Sequence, residues 1–125
     1  MVRLLLSAIL LLILAVTGCV STGLRSSGDF GTSAIVRAFE DGKQAYDRHA
    51  FANAAPRFAA FLDTHPDTAL AAPALYYLAS CNKELGHFAM AEAQYQQVLK
   101  KYPSGIWHDV ARYDLHYIRK HMRRD

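Results

Sequence analysis

Apolar and small side chains recur at helical spacing along residues 34–122, and one stretch of this pattern occurs twice. Segments 51–66 and 88–103 place equivalent residues at a constant offset of 37 positions. The matched pairs are Phe51 and Phe88, Ala54 and Ala91, Phe58 and Tyr95, Leu62 and Leu99, and Pro66 and Pro103. Apolar residues spaced by three and four positions predict amphipathic helices. A period of this length is typical of repeated helix pairs.

The same spacing predicts five helices in all. The first begins at about residue 34 and the fifth covers about 106–122. Gly86 ends the third helix, because glycine adopts a left-handed conformation at little cost. Pro56 lies inside the second helix and removes a backbone donor there. The sequence therefore predicts that this helix begins late, with Asn53 as its cap, or that it bends at the proline.

The N-terminus has the pattern of an export signal. Arg3 supplies a positive charge, and residues 4–16 form an apolar run. This run is shorter than the roughly 20 residues that cross a bilayer, so it fits a signal peptide better than a membrane span. The sequence around Cys19, Val-Thr-Gly-Cys, resembles the bacterial lipobox. We therefore predict a signal peptide at 1–18 and a covalent lipid on Cys19. The alternatives are an ordinary signal followed by a chance cysteine, or a short uncleaved anchor.

An acylated Cys19 would begin the mature chain and hold it on a membrane, since two or more acyl chains give stable anchoring. In known bacterial lipoproteins, an aspartate after the cysteine favours the inner membrane. Val20 follows here, so the resemblance implies the outer membrane, facing the periplasm of a two-membrane bacterium. Residues 19–33 are rich in glycine and serine and predict a flexible tether, which would span roughly 20 Å.

The repeated residues resemble the tetratricopeptide repeat, in which small residues let two antiparallel helices approach and aromatic side chains fill the space between them. The residues that carry this resemblance are Gly42, Phe51, Ala54, Phe58, Pro66, Ala79, Gly86, Phe88, Ala91, Tyr95 and Pro103. The resemblance implies an all-α fold, a short right-handed α-solenoid of two helix pairs and a capping helix. Repeat 1 covers about 34–66, repeat 2 about 71–103, and the capping helix about 106–122.

The particular form of the repeat resembles that of periplasmic lipoproteins and envelope proteins of the BamD type and the CpoB/YbgF type. The run 74–81 and the closing Tyr102-Pro103 carry this closer resemblance. The first repeat departs from the family pattern at two positions. His49 replaces the usual glycine, and Asp41 replaces a large apolar residue.

In this family the first helix of each pair lines a concave face that holds a peptide of a partner protein. The resemblance places seven candidate protein-binding residues there: Tyr76, Tyr77, Ser80, Lys83, Tyr113, Tyr117 and Lys120. Two interpretations of Tyr113 and Tyr117 stay open. They pack against the fourth helix, or they form an exposed aromatic pair of the kind enriched at interfaces.

The function implied is a membrane-anchored adaptor that binds a segment of another envelope protein, in outer-membrane or envelope assembly or in a secretion apparatus. The alternative is a structural subunit that associates with itself or with a larger complex. Repeat proteins generally need about three units for stability, and this chain has two repeats and one helix.

Composition and motifs argue against other classes of function. The formal net charge is +3, with 14 basic and 11 acidic residues, which is too balanced to predict nucleic-acid binding. Cys81 fits a small core position, and the histidines lack the spacing of a metal site. We therefore predict no enzymatic activity, no metal and no cofactor beyond the lipid on Cys19. The basic residues 119–124 complement a helix dipole or contact anionic headgroups.

Overall fold

The computed structural model describes the backbone of residues 27–122 and the side chains of residues 31–122. The predicted signal peptide, Cys19 and residues 20–26 of the predicted tether lie outside the described residues. The helices are α1 (Ser27–Asp47), α2 (Phe51–Thr64), α3 (Ala71–Glu84), α4 (Phe88–Lys101) and α5 (Ile106–Tyr117), followed by a π-helical turn (Ile118–Met122). Every regular element of the described residues is helical, which confirms the all-α prediction.

The helices pack in chain order, as expected of a short solenoid. α2 lies against α3, α3 against α4, and α4 against α5. The core divides into two clusters, one formed by residues of α1, α2 and α3 and the other by residues of α3, α4, α5 and the π-helical turn. Phe58 is at the centre of the first cluster and Tyr95 at the centre of the second, and both are fully buried. Leu62 contacts both clusters, so the two repeats share one continuous apolar interior.

The offset of 37 residues is present in the packing as well as in the sequence. Phe39 of α1 meets Phe58 of α2 with ring centroids 5.8 Å apart. In the second repeat Tyr76 meets Tyr95 at 5.7 Å, with a similar angle between the rings. Gly42 has a packing reason of its own, because a Cβ there would lie 3.0 Å from the Phe58 ring.

The turn between the two helices of each repeat also obeys the offset. Gly86 has a φ of 80°, the left-handed conformation predicted for it, and its counterpart His49 has a φ of 59°. Backbone of this handedness costs roughly 1–2 kcal/mol for a residue with a side chain. His49 therefore holds the geometry for which the family uses glycine, at some expense of stability, and its ring lies 5.6 Å from that of Phe51.

The first helix is longer at its N-terminal end than the sequence predicted. α1 begins at Ser27, seven positions before residue 34, so the end of the predicted tether is helical. Residues 27–33 contain glycine and serine but no proline. Each of them can therefore add a backbone hydrogen bond to a helix already nucleated by its packed part, although glycine does so at about 1 kcal/mol relative to alanine.

The prediction that α2 begins late is wrong. The helix begins at Phe51, after Ala50, which makes no side-chain capping bond. The first turn is closed by the backbone, since the Asn53 and Ala54 N–H groups both donate to the Ala50 carbonyl, at 3.0 and 2.9 Å. Pro56 is inside the helix and exposed. Water can hydrate the one carbonyl left without its donor, which explains why the helix tolerates the proline.

The end of α5 widens into the π-helical turn Ile118–Met122, which the sequence did not predict. Each residue of a π-helix turns less about the axis than a residue of an α-helix, because its hydrogen bonds span five positions. Ile118 stays buried, and the side chains that follow are rotated relative to α-helical register. Within the part of the chain that the structure describes, no helix has the length and apolar character needed to cross a membrane.

Candidate protein-binding surface

Four aromatic side chains form a continuous strip across α1, α3 and α5, the first helix of each predicted unit. Tyr46 meets Tyr77 at 4.9 Å between ring centroids, Tyr77 meets Tyr76 at 5.6 Å, and Tyr76 meets Trp107 at 5.4 Å. All four are half-buried. Each therefore packs on its neighbours while leaving part of its ring open to solvent. We call Tyr46, Tyr77, Tyr76 and Trp107 the aromatic strip.

A lysine lies over one end of this strip. Lys43 Nζ is 5.4 Å from the centroid of the Tyr77 ring, within the range of a cation–π contact. The same ammonium donates to both carboxylate oxygens of Asp47, at 2.6 and 2.8 Å. The hydrogen bond to Asp47 is the main reason that the pKa of Lys43 is raised. The strip thus has an ion pair, Lys43 with Asp47, at its α1 end.

The other end of the strip is supported by a buried polar network centred on Asp114. The Tyr76 hydroxyl donates to Asp114 Oδ2 at 2.7 Å, and Lys83 Nζ donates to Oδ1 at 3.0 Å. The Tyr95 hydroxyl lies 3.4 Å from Oδ2 and 2.9 Å from the Ser80 hydroxyl. Asp114 is only 9 % exposed. One carboxylate of α5 therefore ties together side chains of α3 and α4.

The environment keeps the hydroxyls of this network protonated. Burial raises the pKa of Tyr76, and the Asp114 carboxylate beside it raises the pKa further. Burial also raises the pKa of Tyr95. A protonated phenol is a donor that the carboxylate can accept, so the network is that of a structural support. It does not present a base or a nucleophile to solvent.

Cys81 belongs to the same interior and is fully buried. Burial raises the pKa of its thiol to about 12. The thiolate is the reactive form of cysteine, so this side chain is a poor nucleophile at neutral pH. The position agrees with its prediction as a small core residue.

The structure separates the predicted binding residues into two groups, and the α3 group is largely structural. Tyr76 and Tyr77 are half-buried members of the aromatic strip. Lys83 is engaged by Asp114, with 17 % of its side chain exposed. Ser80 is 1 % exposed, so its predicted place on a binding face is wrong. The small Ser80 side chain can lie on a surface or in a core. Inside the core the Tyr95 hydroxyl is its hydrogen-bond partner.

The α5 group is open to solvent. Tyr113 is 72 % exposed and Tyr117 is 39 % exposed. The sequence left two interpretations of Tyr113 and Tyr117. The structure agrees with an exposed aromatic pair and not with packing against α4. Lys120 is also exposed, although the π-helical turn rotates it about the axis away from Tyr113. His121 takes the place beside Tyr117, with ring centroids 4.8 Å apart.

Sequence reasoning missed two residues of this surface. Trp107 was not among the candidate binding residues, and the structure has it half-buried, packed against the second core cluster and in contact with Tyr76 at the end of the aromatic strip. Asp114 was passed over, although it lies between Ala111 and Leu115 on an otherwise apolar face. A carboxylate at such a position is a signal for a buried partner, and that signal was present in the sequence.

The described residues offer no metal centre. No group of three or more potential metal-ligating side chains comes together within residues 31–122. Over the same range, every buried side-chain nitrogen or oxygen has a hydrogen-bond partner. The polar groups there satisfy one another, and none points to an additional ligand.

The geometry defines a helical-repeat module with a partly exposed aromatic surface. Residues 73–105 match a family model described as tetratricopeptide repeat, which covers most of α3 and all of α4. Such repeats are typically non-catalytic modules that mediate protein–protein interactions. No curated protein matches the chain, so the closer resemblance to BamD-type and CpoB/YbgF-type proteins stays a prediction.

Proposed function

We propose that this protein is a lipid-anchored adaptor that binds a segment of another envelope protein along the aromatic strip and the exposed tyrosines of α5. The setting proposed is the periplasmic face of the outer membrane, in envelope assembly or a secretion apparatus. The observation that carries the adaptor function is the strip itself. Aromatic side chains that are rigid and partly exposed supply large contact area at low entropic cost.

Charge and exposure along this surface suggest what it binds. The strip has the Lys43–Asp47 ion pair at its α1 end, and Tyr113 and Tyr117 are exposed aromatic side chains of α5. Tyrosine is enriched at interfaces because it combines an apolar ring with a polar tip. An extended or helical segment with apolar side chains would match this surface.

The first test concerns the anchor. Substituting Cys19→Ala removes the thiol that would carry the lipid. We expect the variant to move from the membrane fraction to the soluble periplasmic fraction, because stable anchoring requires the acyl chains. The measurement is fractionation of cells after a high-salt wash. An Ala variant that still sediments with membranes would show that something other than a lipid at Cys19 holds the protein there.

The second test concerns the binding surface. A photo-crosslinking amino acid at position 43 should capture the partner in intact cells, and the same residue at exposed position 60 of α2 is the matched control. In a chain with Tyr113→Ser and Tyr117→Ser, we expect binding of the captured partner to weaken by about 2 kcal/mol, roughly thirty-fold in Kd. The purified variant should keep its helical circular dichroism, since both tyrosines are exposed.

Two results would contradict the adaptor function. One is equal capture from positions 43 and 60, which would mean that the strip is not the contact surface. The other is unchanged affinity in the double tyrosine variant. A variant that loses its helicity would instead show that the tyrosines support the fold, contrary to their exposure.

A further inference from the structure

α1, α3 and α5 are the first helices of successive repeat units, and the contacts between them recur at the offset of 37 residues. Tyr77 of α3 lies against Phe39 and Tyr46 of α1, with ring centroids 6.2 and 4.9 Å apart. One offset later, Asp114 of α5 lies against Tyr76 and Lys83 of α3, the counterparts of Phe39 and Tyr46. One position of each incoming helix therefore meets the same two positions of the helix before it.

The chemistry of the two contacts differs although their register is the same. The first is aromatic on both sides. The second pairs a tyrosine hydroxyl and a lysine ammonium with one carboxylate, at 2.7 and 3.0 Å. The second contact thus specifies its partner by charge, because a neutral side chain in place of Asp114 would leave Lys83 with only its longer ion pair to Glu84, at 3.8 Å.

The tyrosine and the lysine of this second contact recur one offset later, on α5 and on the π-helical turn that follows it. Tyr113 and Lys120 stand one offset beyond Tyr76 and Lys83. Both are exposed, and no ion pair or hydrogen bond links Lys120 to another residue in the described range 31–122. The π-helical turn moves Lys120 round the axis, but its flexible four-carbon stem can cover that displacement.

A carboxylate at the position equivalent to Asp114 occurs on α1, the first of the described helices. Glu40 lies two offsets before Asp114 and is exposed. Its neighbour Asp41 is exposed too, and is two offsets before the buried Leu115. Leu115 shares a core cluster with Leu75, whose counterpart on α5 is Arg112. α1 and the C-terminal helix therefore have opposite charges at two registered positions, Glu40 with Lys120 and Asp41 with Arg112, and Arg112 also pairs with Asp109 of its own helix at 3.7 Å.

We propose that the occupant of the open flank of α5 is the α1 edge of a second copy of this chain, in a head-to-tail stack. Glu40 of one copy takes the place of Asp114, between Tyr113 and Lys120 of the next copy. Asp41 then faces Arg112. The contact uses Tyr113, which the proposed adaptor surface also includes, but no residue of the aromatic strip, and it makes the protein a self-associating scaffold in addition to the proposed adaptor.

The stack would be open-ended and weak. A contact that joins two different surfaces of the same molecule generates a ring or an open filament. Exposed ion pairs contribute little and are screened by salt. Association should therefore increase with protein concentration, decrease with salt, and be favoured wherever the chain is concentrated on a surface.

A charge swap tests the stack directly. The full chain is purified in detergent, and its mass is followed by sedimentation velocity over a range of protein concentrations at low salt. We expect the mass of the wild type to grow with concentration beyond a dimer. Glu40→Lys and Lys120→Glu should each lower the association constant by about ten-fold or more, since like charges then face each other.

The most informative part of the experiment combines the two charge-swapped variants. Mixing Glu40→Lys with Lys120→Glu, or placing both changes in one chain, restores opposite charges and should restore association. Asp63→Lys, an exposed acid on α2, is the control and should associate like the wild type. A wild type that is monomeric at every concentration overturns the proposal. So does a closed dimer, or association that neither swap changes. Sedimentation of the purified chain involves no partner protein, which separates this result from failure of the adaptor function.

Discussion

Replacing Phe58 by alanine is expected to lower the free energy of unfolding by about 3–5 kcal/mol. Phe58 is fully buried and lies between the rings of Phe39 and Tyr77, at 5.8 and 5.4 Å. Truncation of a buried phenylalanine typically costs about 3–5 kcal/mol, because apolar contact is lost and a cavity remains. Small domains are stable by only about 5–15 kcal/mol. The change should thus remove a large share of the total stability.

The measurement is thermal unfolding of the purified chain by circular dichroism. For a domain of this size, 1 kcal/mol corresponds to about 4–8 °C in Tm, so we expect a decrease in Tm of at least about 10 °C. Met90→Ala on α4 is the matched control, because Met90 is 54 % exposed and exposed substitutions usually change stability by less than about 0.5 kcal/mol. A Phe58→Ala variant that melts like the wild type would show that the packing register described here is wrong.

Phe58 was identifiable from the sequence because the signals at its position are local and repeated. Aromatic and small residues at helical spacing define a buried face, and the second copy at an offset of 37 confirms each assignment independently. The left-handed turn was predictable for the same reason, since Gly86 announces it and His49 occupies the equivalent position. Helix number, helix order and most of the core therefore followed from the chain alone.

The structure differs from the sequence predictions where the local conformation depends on packing and exposure and not on the local sequence pattern alone. The start of α1 depends on helix propagation from the packed part, which composition does not reveal. Pro56 breaks helices in general, but here it lies on an exposed face where one missing donor is tolerated. The π-helical turn after α5 widens the helix at a segment whose sequence contains neither glycine nor proline.

The candidate surface was predictable in outline and not in detail. The family resemblance selected α3 and α5 as the helices of the candidate surface, but it could not say which of their side chains stay exposed. Ser80 is buried because the Tyr95 hydroxyl, fifteen positions away, accepts or donates a hydrogen bond there. Lys83 is engaged because α5 brings a carboxylate to it. Each outcome depends on a partner from another helix, and such partners are known only once the helices are packed.

The same dependence makes Asp114 the second position with a large expected effect. Asp114→Ala would leave the Lys83 ammonium and the Tyr76 hydroxyl without their shared acceptor, beside the core. Removing one member of a buried pair typically costs about 3–5 kcal/mol, since the other charge stays desolvated. The side chains of Lys83 and Asp114 are 17 % and 12 % exposed, so water can partly rehydrate the lysine. We therefore expect a loss of about 2–3 kcal/mol.

A second variant separates the cost of the stranded charge from that of lost packing. In Asp114→Ala with Lys83→Met, no ammonium is left unpaired, and we expect about half of the lost stability to return. Asp109→Ala is the control on the same helix. Its carboxylate is 65 % exposed, so the expected change is below about 0.5 kcal/mol. Denaturant unfolding of the four proteins gives the free energies, and the linear dependence on denaturant makes them comparable.

If Lys83→Met fails to recover stability, the ammonium was never left desolvated. Asp114 would then act through its hydrogen bond to Tyr76 alone, and the contact between α3 and α5 would be specified by shape and not by charge.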